Sequence, residues 1–372
     1  MVAMKVSCSE CHSESGNWSP REWRCSCGGP LEFSSEPPFD AALIDAHQPG
    51  LWRYRNLLPF AVDAASMVSM GEGWTPLVEG VFDGRPVLWK LEFLNPTGSY
   101  KDRGIGPLTA ALREHDVRCV VEDSSGNAGA SVAAYSARAG LRAKIFVPAH
   151  ASPVKQSQIA LYGAQVVPVP GPRIEATRAA EAALLDGTAY ASHVWQPPVL
   201  AGLQTVAWEI WEQMGGQAPD WLVCPVGQGT LLLGAYRGFR ALLDAGLSER
   251  IPRLVAVQST NCDPLQKAWI QRLDTVPLVS SEPTVAEGIR IAHPVRGWQL
   301  LQAIRRSNGV VLAVEENQIV AAQTTLARLG LYVEPTSAVA VAALPILHPS
   351  IHPEETVAVL LTGSGLKGSP VD

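Results

Sequence analysis

From about residue 86 onward the chain alternates short, uninterrupted apolar runs with longer amphipathic ones, and few folds accept that pattern. The apolar runs are Pro86–Leu91, Cys119–Glu122, Ala143–Val147, Gln165–Pro168, Trp221–Pro225, Leu254–Gln258, Val310–Val314 and Val357–Leu361. A strand that is apolar at nearly every position must be buried on both faces. Helical spacing of apolar residues covers Gly104–His115, Ala128–Ala139, Gln156–Tyr162, Ile174–Leu185, Thr205–Met214, a run from Leu231, and Gln318–Leu329. Buried strands alternating with such helices predict an α/β chain of two doubly wound lobes with mostly parallel sheets. At 372 residues the chain exceeds what one simple core holds. The expected division is a small segment at 1–35 and a body at 36–372, whose smaller lobe spans approximately 105–200 and whose larger lobe is the remainder.

Composition narrows the class of function. A hydrophobic fraction of 47% with 17% charged residues describes a well-buried globule. A net charge of −6 argues against nucleic acid as a partner. Met1–Ser7 has no apolar leader-like run, and the longest uncharged stretch, Gly187–Trp208, is broken by Pro197, Pro198 and His193. No membrane association and a cytoplasmic protein are expected.

Four of seven cysteines, Cys8, Cys11, Cys25 and Cys27, crowd the first thirty residues. The segment is poor in aliphatic residues and too small for a core of its own. Two tight Cys turns across a short polar stretch are how a zinc ribbon offers four thiolates to one ion. The second pair has one intervening residue instead of two, so a structural zinc site, a metal-free remnant and a redox pair all stand as readings. Cys119, Cys224 and Cys262 lie in apolar contexts and read as buried filler.

Chemistry concentrates in loops that follow strands and precede helices, where open α/β sheets bind ligands. In Asn95-Pro-Thr-Gly-Ser-Tyr-Lys-Asp-Arg-Gly104, Lys101 sits at a loop-to-helix junction. Free helix N–H groups and the helix dipole there favour the neutral amine that Schiff-base chemistry requires. Asp123-Ser-Ser-Gly-Asn-Ala-Gly-Ala130 offers Ser124, Ser125 and free N–H groups to a carboxylate, and Asn127 an amide to a ring oxygen. Pro225-Val-Gly-Gln-Gly-Thr230 sets glycines before a helix, as phosphate binding needs, but lacks the Gly-Lys-Ser/Thr of a nucleotide loop. In Leu361-Thr-Gly-Ser-Gly-Leu366, Thr362 or Ser364 could meet a heteroaromatic nitrogen. Taken separately, each loop is equally a turn or a helix cap. Together they match pyridoxal 5'-phosphate with an amino-acid carboxylate alongside, and a neutral hydroxyl at the ring nitrogen favours elimination and replacement over transamination.

The residues from 8 to 367 resemble those of threonine synthase, within the fold type II (tryptophan synthase β-like) pyridoxal-phosphate enzymes. The resemblance rests on the Cys cluster ending in Cys27-Gly-Gly-Pro-Leu31, on Gly71-Glu-Gly-Trp-Thr-Pro-Leu77, on Asn95–Gly104 and on Ser124–Ala130. Glu287-Gly-Ile-Arg-Ile291, Glu334-Pro-Thr-Ser-Ala338 and Leu361–Lys367 complete it. It implies that Lys101 binds the cofactor covalently and shuttles protons, that Asn127 contacts the ring oxygen, and that Ser124 and Ser125 bind the substrate carboxylate. It further implies that Gly227, Gln228, Gly229 and Thr230 cradle the cofactor phosphate and that Thr362 faces the pyridine nitrogen. The turn at Gly71–Leu77, with Thr75, lines the entrance for substrate. A homodimer is expected on the same ground.

The activity so implied is a carbon–oxygen lyase converting O-phospho-L-homoserine and water to L-threonine and phosphate. The chain departs from that pattern at Ala128, where a Thr is common, and at Val199, where an Arg is usual. No neutral residue replaces a bidentate guanidinium on phosphate. A serine/threonine dehydratase or a β-replacement enzyme (cysteate synthase-like) is the alternative, and a catalytically dead adaptor carrying a zinc ribbon is the reading from another class.

Overall fold

A computed structural model describes residues 5–151, 153–185 and 187–367. Met1–Met4, part of the stretch read above for an apolar leader, lie outside them. The chain forms two compact units. One takes the residues up to Gly73 and Asn95–Leu203, and the other takes Trp74–Leu94 and Gln204 onward.

The first unit opens with a three-stranded antiparallel sheet, order β2-β1-β3, of β1 (Lys5–Cys8), β2 (Glu14–Asn17) and β3 (Leu31–Phe33). The next two strands, β4 (Leu77–Phe82) and β5 (Arg85–Lys90), belong to the second unit. The first unit resumes with helix α1 (Asp102–Glu114), β6 (Cys119–Glu122), α2 (Asn127–Ala139), β7 (Arg142–Pro148) and α3 (Pro153–Leu161). It continues through β8 (Gln165–Val169), α4 (Arg173–Ala182), β9 (Thr188–Tyr190) and α5 (Pro197–Leu203). Its main sheet is fully parallel in the order β8-β7-β6-β9. All four residues of β6, the strand that precedes the Asp123–Asn127 loop, are buried.

The second unit adds α6 (Thr205–Gln213), β10 (Trp221–Pro225), α7 (Thr230–Asp244), β11 (Arg253–Ser259), α8 (Pro264–Ile270) and α9 (Gly297–Arg306). β12 (Val310–Val314), α10 (Glu316–Arg328), α11 (Pro335–Ala342), α12 (Leu344–Leu347) and β13 (Val357–Leu360) complete it. Its six strands run in the order β12-β11-β10-β13-β5-β4. All pairings are parallel except the β4–β5 hairpin. Every residue of β10 and β13 is buried, and Val223, Val255, Val257, Val339, Val341 and Val359 join one apolar core. The α/β expectation with mostly parallel sheets holds for both units.

Several elements escape a reading of the sequence for identifiable reasons. The strands of the N-terminal sheet and β9 are three or four residues long, too short to show a period. α5 opens on Pro197-Pro198, residues that are favourable at a helix start yet read as breakers. α1 begins at Asp102, one half-turn before the expected Gly104. The cause is the Asp102 carboxylate, which accepts from Thr97 N and Thr97 Oγ1, both at 2.7 Å, and so gathers the turn into the helix. Among the described residues no helix is long and apolar enough to cross a membrane.

Candidate active site

Lys101 occupies the position immediately before α1, in helical backbone, with its Nζ donating to Tyr100 Oη at 2.6 Å. The turn holding it is built from below. Buried Asp102 takes the two Thr97 donors and also Ser131 Oγ at 2.6 Å, which ties the head of α1 to the face of α2. Buried Glu72 accepts from Trp52 Nε1 at 2.6 Å, Met70 N at 2.8 Å and Tyr135 Oη at 2.8 Å, tying α2 to the segment that carries Trp52 and Met70. α5 packs on α1 so closely that a Cβ on Gly104 would sit 2.6 Å from Val199 Cγ1. Neither Asp102 nor Glu72 stands out in the sequence. The signal available for Asp102 is its place in the first turn, where a carboxylate suits the helix dipole.

Lys90 shows why burial alone does not identify a nucleophile. It is wholly buried, but its ammonium is committed to Glu209 Oε2 at 2.9 Å, Thr75 O at 2.7 Å and Gln213 Oε1 at 2.9 Å. An amine held by three acceptors is not available as a nucleophile.

The Ser124–Asn127 loop leads from β6 into the N-terminus of α2. Ser124 is buried and its Oγ accepts from Gly126 N at 3.3 Å, while Ser125 and Asn127 are partly exposed. Gly129 lets the helix come down onto this loop, since a Cβ there would lie 1.9 Å from Ser124 O. Beneath it, Asp123 accepts from Tyr190 Oη at 2.8 Å and from Thr177 Oγ1.

Beside this loop lies a pair that sequence reasoning missed. His193 Nδ1 and Glu122 Oε1 are 2.7 Å apart, both buried, and Glu122 Oε2 has no hydrogen-bond partner among the described residues. Burial, then the adjacent Asp123 carboxylate, pushes Glu122 well above the carboxylate range, with Arg173 and Lys101 pulling the other way. Burial pushes His193 well below its ordinary value, and the positive charges of Lys101 and Arg173 add to this. The pair therefore prefers to hold one proton and no net charge.

In the second unit, Gly227–Gly229 bring the chain from β10 into α7. Gly229 adopts φ +73°, the left-handed region that favours glycine, and a Cβ on Gly227 would stand 2.8 Å from Ile289 Cα. Gln228 Oε1 accepts from Val295 N at 3.0 Å, which secures the loop from outside. Thr230 is 1% exposed, and its Oγ1 has no partner among the described residues. A buried hydroxyl without a partner, at the positive end of a 15-residue helix, is a ready contact for a phosphate. Thr362 is buried and shares a 2.9 Å hydrogen bond with Ser337 Oγ, which also accepts from Gly363 N at 2.7 Å. Ser364 is buried as well. Thr75 is buried, with its Oγ1 donating to Glu92 Oε1 at 2.6 Å, so its hydroxyl holds the turn before β4 to the segment that follows β5.

Lys155, Arg290 and Arg296 are the cations that could replace the usual Arg on a substrate phosphate: the Lys155 side chain lies outside what the structure describes, Arg296 is buried and donates to Gln299 Oε1 at 3.2 Å, and Arg290 donates to Ser281 O at 3.0 Å. Val199 and Ala128 are both buried.

Comparison with known proteins identifies the class of the chain. The family described as pyridoxal-phosphate dependent enzyme matches residues 68–363. The chain is 33% identical over 360 residues to threonine synthase from Methanocaldococcus jannaschii, covering 93% of this chain and 88% of that protein. Threonine synthase from Methanosarcina acetivorans is 32% identical, with 97% and 92% covered. Among solved structures, a threonine deaminase from T.th. superposes with a TM-score of 0.69 at 28% identity, covering 80% of this chain and 94% of that one. Maize serine racemase gives the same TM-score at 21% identity, covering 78% and 88%, and shows the fold alone. A family match over most of the chain and relatives at this identity leave no ambiguity of class: the chain belongs to the pyridoxal-phosphate dependent enzymes of fold type II and is a lyase that works with that cofactor.

Proposed function

We propose that the chain converts O-phospho-L-homoserine and water to L-threonine and phosphate. The observation that carries this is the contrast between two lysines. Lys101 meets a phenol at the head of a helix, whereas Lys90 is consumed by an ion pair. The names of the relatives supply the substrate.

The residues present fit the cofactor, because Thr230 Oγ1 is buried without a partner among the described residues and stands at the first residue of α7, where the helix N–H groups face an anion. In this reading Gly227, Gln228, Gly229 and Thr230 hold its phosphate, Thr362 faces the ring nitrogen, Asn127 the ring oxygen, and Lys101 the aldehyde. When bound, pyridoxal phosphate withdraws electrons from the amino acid's Cα and makes its protons acidic. Lys101 Nζ is the basic group that would take the Cα proton and return protons along the carbon chain. Ser124 Oγ and the free N–H groups at the start of α2 orient the substrate carboxylate. Tyr100 Oη accepts a hydrogen bond from the amine of Lys101 and so orients it. Thr75, through its bond to Glu92, keeps the entrance turn in shape. A homodimer in the cytoplasm completes the proposal.

Buried Val199 and Ala128 favour a second reading, dehydration of serine or threonine, which asks for no substrate-phosphate contact. One experiment separates the two. Purified protein is given O-phosphohomoserine, threonine, serine or phosphoserine, and phosphate, threonine and 2-oxo acid are measured. Threonine with equimolar phosphate from the first supports the proposal. Oxo acid from serine, with none of the phosphate released, overturns it in favour of the dehydratase. In either case Lys101→Ala is expected to abolish turnover while changing stability by less than about 1 kcal/mol, and borohydride is expected to tag position 101 and not Lys90. A tag at Lys90 would refute the assignment.

A further inference from the structure

We propose that Cys8, Cys11, Cys25 and Cys27 hold one zinc ion as a closed, structural four-thiolate site, independent of the catalytic reading. The four thiols are free, and their Sγ atoms all lie within 4.8 Å of one another. Cys8 and Cys27 approach to 3.5 Å and Cys11 and Cys25 to 3.7 Å. With zinc–sulfur bonds of ~2.3 Å, a tetrahedral site has S···S edges of roughly 3.8 Å. The cluster is therefore already close to the size of a mononuclear site, and too tight for a sulfide-bridged iron pair.

The backbone is arranged for the same purpose. The two Cys turns close through His12 N to Cys8 O at 3.1 Å and Gly28 N to Cys25 O at 2.9 Å. The second turn closes further through Cys25 N to Gly29 O, and Ser9 N to Pro30 O ties the first turn to the chain that leaves the second. Each turn also aims an amide at a sulfur, Glu10 N at Cys8 and Gly29 N at Cys27, both at 3.4 Å. Amides placed in this way orient thiolate ligands and offset their charge. The one-residue spacing of Cys25 and Cys27 is accommodated because residue 29 has no side chain: a Cβ there would lie 2.8 Å from Cys8 Sγ.

The site explains how a segment without a core of its own is ordered. None of the four residues of β2 is buried. The buried aromatic residues between the Cys pairs, Trp18 and Trp23, face away from the cluster and into the unit. Trp18 Nε1 donates to Gln196 Oε1 at 3.1 Å, and the Trp23 ring meets Tyr190 at 5.1 Å and Trp195 at 5.3 Å. A metal that joins the ends of this loop lets both indoles dock on β9 and on the turn into α5 without the loop's full entropy loss.

The test is metal analysis of the full-length holoenzyme after dialysis, with X-ray absorption at the zinc edge. One zinc per chain with four sulfur neighbours upholds the site. No zinc, zinc bound by nitrogen or oxygen donors, or iron in its place overturns it. In Cys11→Ser/Cys27→Ser the zinc is expected to be lost, with hydrogen exchange accelerated across Lys5–Phe33 while Cys119–Glu122 stays protected. Full zinc content in that variant would overturn the assignment, and if the variant does not fold, the absorption spectrum of the natural protein still decides.

Discussion

The proton shared by Glu122 and His193 illustrates how a single pair shapes the response to pH. In the unfolded chain, Glu and His at their ordinary values of 4.5 and 6.5 together carry one proton between those limits. The folded pair also carries one, so its contribution to stability is flat in that window. Below it the unfolded chain gains a second proton, and above it the unfolded chain loses its proton while the folded pair keeps one; both changes favour unfolding. Glu122→Gln removes the carboxyl and leaves a neutral buried His193. The unfolded state then binds more protons at every pH below about 6.5. The variant is expected to lose melting temperature between pH 6.5 and pH 4.5, whereas the natural protein holds constant there for this pair. Parallel slopes for the two proteins in thermal melts would show that the pair is not coupled in this way.

Elements in this protein are positioned by close backbone approach as much as by apolar packing. The clearest case is α2, lowered onto the Ser124–Asn127 loop at Gly129. Gly129→Ala would force its Cβ against the Ser124 carbonyl, and the cost is expected at the upper end of the roughly 1–3 kcal/mol seen for overpacked sites. Urea unfolding measures that loss. Because the loop would shift with the helix, KM for the amino acid should rise more than kcat falls; an unchanged KM would mean that the loop does not read the carboxylate. This role of Gly129 is not legible in sequence, where Gly-Asn-Ala-Gly reads as a turn. The loop itself is legible, because a strand, a Ser/Gly/Asn cluster and a helix follow one another locally.

At the scale of the whole molecule, each unit is assembled from distant stretches of chain. In the second unit β13 lies between β10 and β5, with Ala358 opposite Leu88 and Leu360 opposite Lys90. Lys90 of β5 also supplies the charge that Glu209 of α6 requires. A fragment starting at Gln204 would expose the edge of β13 and bury Glu209 without its partner, a loss of about 3–5 kcal/mol. It is expected to aggregate when expressed alone, and co-expression with a peptide spanning Trp74–Leu94 should improve its solubility. A soluble fragment with cooperative unfolding would show that β4 and β5 are dispensable. Such non-local pairing also predicts slow folding.

Amino-acid order settles the alternation of strands and helices, the loops that follow strands, and Lys101 at a helix start. These are local properties, written in the spacing of apolar residues and in Gly, Pro and Ser punctuation within a few positions. Folding in three dimensions settles the rest: which lysine is locked in a buried ion pair, that Asp102 ties α1 to α2, that Glu122 meets His193, and that four thiols from two separate turns come within 4.8 Å. Those outcomes depend on partners up to 123 residues apart, as for Lys90 and Gln213. No local period encodes them; burial and pairing select them when the sheets close.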